Sequence, residues 1–196
     1  MHALLKLSHL IDALTERIGK SIIWLILIVT LISSSNALMR YTINYSSNAF
    51  LEIQWYLFAA VFLLGAGYTF MRNEHVRIDV VAGKFSRRTQ TWIDIFGILF
   101  FLMPMAIAIM WLSWPIFVQA LLSNEQSSNA GGLTVWPARL LVPIGFFLLV
   151  LQGISELIKR IGFLMGRCPD PTEKANTLTP EEELALAIKA QKGEAQ

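Results

Sequence analysis

Hydrophobic positions fall into four long runs separated by polar breaks: Ser21–Met39, Leu51–Met71, Trp92–Ser113 and Trp136–Ile158. Each run approaches the roughly 20 residues that a helix needs to cross the hydrocarbon core of a bilayer. None contains a charge near its middle. Glu52, Asp94, Arg139 and Glu156 all fall within four residues of a span end, where a long side chain reaches headgroups or water. All six tryptophans and all four tyrosines also lie close to span ends, as amphipathic rings do at an interface. The pattern predicts an all-α integral membrane protein with four transmembrane helices.

Residues 1–20 carry a different pattern. Leu4, Leu7, Ile11, Leu14 and Ile18 recur at intervals of three and four, with Lys6, Asp12, Glu16, Arg17 and Lys20 largely off that stripe. This predicts an amphipathic helix lying on the membrane surface or against a partner. A signal peptide with its apolar core at Ile22–Ile32 is the weaker alternative, because a twenty-residue polar lead-in with acids is long for one. Residues 21–165 form the four-helix domain. Residues 166–196 form a polar tail in which Thr179 and Glu182 make a capping box, permitting a short helix to about Gln191 in an otherwise solvated segment.

Two spans carry irregularities. The apolar run from Trp92 to Leu122 is too long for one upright crossing and contains Pro104 and Pro115, predicting a kink at the first and a tilted or bent end near the second. Thr134 is placed to cap the fourth span, with Pro137 in its first turn and a bend at Pro143.

Composition agrees with the pattern: of 196 residues, 55% are hydrophobic and 15% charged, against about 25% charged in soluble domains. The net charge of +2 gives no reason to expect nucleic acid. The distribution of charge is more informative. Fourteen of the 16 lysines and arginines lie in segment 1–20, the 72–91 loop or the tail after Ile158. The positive-inside rule then puts both termini in the cytoplasm.

Candidate chemistry is sparse. His2, His9 and His75 all lie outside the spans, so no pair can hold haem at bilayer depth. The single cysteine, Cys168, supplies neither a redox pair nor a metal cluster. No cofactor, metal site or enzymatic centre is expected. Glu52 is the residue to weigh: a carboxylate near a span can couple transport to ions, but at the second position of its span it is better read as paired with Arg40 or Arg139 at the outer interface. Gln54 adds a polar group able to bond across helices, and Gly65, Ala66 and Gly67 admit close helix approach. The 72–79 loop alternates charged and apolar residues and suits anionic headgroups.

Several stretches resemble a known family. These are Arg40-Tyr41, Glu52, Tyr56-Leu57-Phe58, Gly65 and, most specifically, Glu74-His75-Val76-Arg77-Ile78-Asp79. They are similar to the small membrane subunit (DctQ-type) of tripartite ATP-independent periplasmic (TRAP) transporters, over about residues 1–165. The resemblance implies a bacterial inner-membrane protein whose partners are a large multi-span permease subunit, a periplasmic substrate-binding protein and membrane lipids. It implies sodium-driven uptake of an organic acid, with this chain bracing the large subunit and helping to dock the binding protein. Arg40, Glu52 and Gln54 on the outer side, and His75, Arg77 and Asp79 on the inner loop, would be its subunit or structural contacts. The competing expectation is a self-sufficient small exporter or channel that uses Glu52.

Overall fold

A computed structural model describes residues 2–45, 47–73 and 85–168. Helix α1 runs His2–Ile43 and α2 runs Asn48–Met71. Helix α3, Arg87–Gly97, passes through a π-helical turn at Ile98–Leu102 into α4, Met103–Leu122. Helix α5 spans Trp136–Leu164. Four helical stretches are long and apolar enough to cross a membrane, with α3, the π turn and α4 forming one of them. The all-α, four-span expectation holds.

Three local expectations are revised. The 1–20 segment is not set apart from the first span; it is the N-terminal half of the 42-residue α1. At Pro104 the irregularity takes the form of the π turn, in which the Met103 N–H donates to the Ile98 carbonyl. Proline at 104 offers no N–H and its ring crowds the carbonyl four residues back, and a widened turn just before it relieves both. Thr134 does not cap α5. The cap position is Val135, without a side-chain bond, and Pro137 falls in the first turn as expected.

Helix α5 is the centre of the bundle, packing against α1, α2 and α4, while α1 and α2 pack on each other. Among the described residues, the buried positions combine apolar side chains such as Ile22, Val29 and Phe117 with polar ones such as Ser8, Thr15, Gln152 and Ser155. The largest fully buried side chains are Gln152, Ser8 and Ser155, whereas Trp24, Trp55, Phe62 and Trp111 face outward. Such a reversal is expected where the surroundings are lipid: apolar side chains gain nothing by turning inward, so helices associate through close backbone approach and polar bonds. Gly67, in the small patch near the end of α2, lies against the Leu148 carbonyl, Thr15 and Gln152.

Candidate functional site

Polar side chains gather at both ends of the bundle. At the end away from the termini, the 123–135 loop between α4 and α5 folds back on itself. Gln126 and Thr134 form an antiparallel bridge, the Ser127 N–H donates to the Leu133 carbonyl at 2.9 Å, and the Val135 N–H donates to the Glu125 carbonyl at 2.9 Å. One face of α2 holds this loop through residues at successive turns. The Asn48 amide donates to the Ala130 carbonyl (3.0 Å) and the Tyr56 hydroxyl to the Thr134 carbonyl (3.3 Å). Between them the Glu52 carboxylate accepts from the Ser127 hydroxyl, the Asn129 amide (2.9 Å) and the Leu133 N–H (2.6 Å). Gly132 permits this approach, since a Cβ there would sit 2.7 Å from the Glu52 carboxylate.

The expected pairing of Glu52 with Arg40 or Arg139 is therefore wrong. Arg139 instead pairs with Glu125 at 2.6 Å within the same loop system. The carboxylate is satisfied by neutral loop donors, two side chains and one backbone N–H. Because hydrogen bonds to a charged acceptor are the stronger ones, Glu52→Gln is expected to loosen the loop. Amide hydrogen exchange over 123–135 should quicken several-fold while exchange in the helices stays unchanged.

At the end carrying the termini, α1 presents Ser8, Asp12 and Thr15 to Gln152, Ser155, Glu156, Lys159 and Arg160 of α5. The Ser8 and Ser155 hydroxyls bond at 2.7 Å, and Thr15 donates to the Gln152 side-chain carbonyl at 2.8 Å. Asp12 accepts from Gln152 (2.9 Å), Ser155 (2.8 Å) and Lys159 (3.1 Å). Glu156 bridges Lys159 and Arg160, and Arg160 reaches Asp94 of α3 at 3.3 Å. Beside this network, Glu16 joins Lys20 (3.0 Å) and Arg72 (3.1 Å). The expectation that Glu156 turns to headgroups or water is corrected. It is 4% exposed and Arg160 3%, because a carboxylate and a guanidinium one turn apart satisfy each other within the helix seam.

Sequence reasoning missed this second cluster. Its signal was present as polar positions 8, 12 and 15 and 152, 155, 156, 159 and 160, each set at helical spacing on one face. Of the residues singled out in advance, Glu52 enters the clamp on the 123–135 loop. Arg40 and Gln54 instead border a separate groove between α1 and α2. His75, Arg77 and Asp79 lie outside the described residues.

The family model for tripartite ATP-independent periplasmic transporters, DctQ component, matches residues 26–162. That range contains the whole Glu52 clamp and the α5 half of the ion network, while Ser8, Asp12 and Thr15 precede it. No curated protein and no solved structure is significantly similar to the chain. With four membrane-crossing helices and a family match over most of its length, the chain belongs to the DctQ family, the small membrane subunit of TRAP transporters, a family of transporter components rather than of enzymes.

Proposed function

We propose that this chain works only in complex, bracing the large multi-span permease subunit while its 123–135 loop helps to dock the periplasmic binding protein. The transport step is sodium-driven uptake of an organic acid across the bacterial inner membrane, with both termini of this chain in the cytoplasm. The observation that carries this reading is the engagement of Glu52. Its oxygens accept three hydrogen bonds that fasten one loop, which suits a structural post and leaves no free acid for ion coupling at that position. The family match supports the three-part assembly. The crowding of basic residues at the terminal end supports the orientation.

The test uses the complex in liposomes with binding protein added outside. If the loop is a docking surface, Glu52→Gln raises the concentration of binding protein needed for half-maximal uptake several-fold and leaves the sodium dependence unchanged. A shift in sodium dependence with docking unaltered would favour the self-sufficient, Glu52-coupled alternative. On the inner loop, His75, Arg77 and Asp79 lock the chain against the large subunit or lipid headgroups. Asp79→Ala is then expected to lower the yield of intact complex, and unchanged yield and uptake would remove that role.

A further inference from the structure

Toward the terminal end of the bundle, Glu16, Arg17, Lys20 and Trp24 of α1 border a depression of about 360 Å³. Arg17, Lys20 and Trp24 are exposed there, and α2 adds a rim. Gly19 lets the Tyr68 ring lie directly on α1, since a Cβ at that position would overlap the ring. One turn beyond, the Arg72 guanidinium stands over the same ring, 5.4 Å from its centroid. Lys20 (3.0 Å) and Arg72 (3.1 Å) bond to one oxygen of Glu16, which holds the two cations within about 6 Å of each other. Arg17 enters none of the ion pairs formed among the described residues. Three cations around one carboxylate leave the patch with two positive charges in excess.

Depth and charge together say what this patch meets. At about 1.5 Å per residue, Lys20 and Arg72 lie about 2 Å outside the span ends at Ser21 and Met71, and Arg17 about 6 Å outside. The headgroup layer is roughly 5–8 Å deep, so all three cations fall among the headgroups of one leaflet, and helix tilt only shortens these distances. Trp24 lies about 5 Å inside the same span end and is 67% exposed. An indole at that level packs on the first part of an acyl chain and keeps its N–H toward the interface. The matching occupant carries negative charge at headgroup depth with hydrocarbon directly beneath it, which is the layout of an acidic phospholipid. Its phosphodiester accepts from ammonium and guanidinium donors held this close together. We propose that this α1–α2 patch binds one anionic phospholipid, with the phosphate taken by Lys20, Arg72 and Arg17 and an acyl chain lying on Trp24. Lipid surrounds the chain with or without the large subunit, so the site does not rest on the subunit reading above.

The test reconstitutes the full chain in phosphatidylcholine vesicles holding the same small fraction of either phosphatidylglycerol or phosphatidylcholine brominated on its acyl chains. Bromine quenches only indoles that it touches, and subtracting the signal of Trp24→Phe isolates Trp24. At low salt, phosphatidylglycerol is expected to occupy the Trp24 site about threefold to tenfold more than phosphatidylcholine does, as a net charge of this size attracts acidic lipid. In the double variant Arg17→Gln with Lys20→Gln the ratio should return to about one. Its melting temperature should be unchanged, because both side chains are exposed. Equal quenching by the two lipids in the unaltered chain would overturn the proposal, as would a preference that survives the double substitution. Relief of the quenching by inorganic phosphate, beyond that by sodium chloride at equal ionic strength, would make the ligand free phosphate and overturn the lipid assignment. Loss of the preference on reconstitution with the large subunit would make the patch a protein seam and overturn it as well.

Discussion

Arg160→Ala is expected to cost the isolated bundle about 3–5 kcal/mol, the scale for removing one partner of a buried ion pair. The guanidinium is enclosed between Glu156, one turn earlier on α5, and Asp94 of α3. Its loss leaves Glu156 buried with only Lys159 to balance it and removes the ionic tie between α3 and α5. The double substitution Glu156→Met with Arg160→Met should lose clearly less than the single one, because an apolar pair leaves no stranded charge. Lys20→Ala should show almost nothing, since both it and Glu16 are well exposed. Thermal unfolding in detergent, followed by circular dichroism, separates the three. Equal losses for the single and double variants would show that the pair is not acting as a unit.

The second large effect is steric. Gly145 of α5 meets Leu63 of α2 so closely that a Cβ would sit 2.7 Å from the Leu63 Cβ and 2.8 Å from its backbone oxygen. A backbone atom cannot turn aside as a side-chain tip can, so Gly145→Ala must push the two helices apart. The expected cost is about 1–3 kcal/mol, the usual range for overpacking, and Gly145→Leu should prevent assembly of the α2–α5 seam. Gly97 is the control. A Cβ there meets nothing within 4 Å, so Gly97→Ala is expected to be neutral or to gain up to about 1 kcal/mol from helix propensity. Both comparisons are read from unfolding midpoints. Equal tolerance at the two positions would show that α2 and α5 are not closely apposed.

The four crossings were legible because hydropathy records contact with lipid, which is what most of their surface has. The same pattern could not reveal the seams. Gln152 and Ser155 look like interruptions of an apolar run, yet they are fully buried. Their partners Thr15 and Ser8 lie 137 and 147 residues away, beyond the reach of any local periodicity. Glu52 was singled out but given the wrong partner. Matching it by charge alone pointed to arginines, while Ser127, Asn129 and the Leu133 N–H come from a loop whose return path depends on tertiary folding. The Asn48, Glu52, Tyr56 stripe that holds this loop was visible in advance as positions four apart. The length of α1 was not, because the polar residues after Leu7 suggested a separate surface helix. In the fold Ser8, Asp12 and Thr15 face α5, and the helix runs unbroken to Ile43.

In the proposed function this chain is a scaffold without transport activity of its own. The most direct test of that role is sodium-driven uptake of an organic acid into liposomes prepared with this chain alone, with the large subunit alone, and with both, always with binding protein outside. Background uptake is expected for either subunit alone, and full uptake only for the pair. Uptake by this chain alone, abolished by Glu52→Gln, would contradict it.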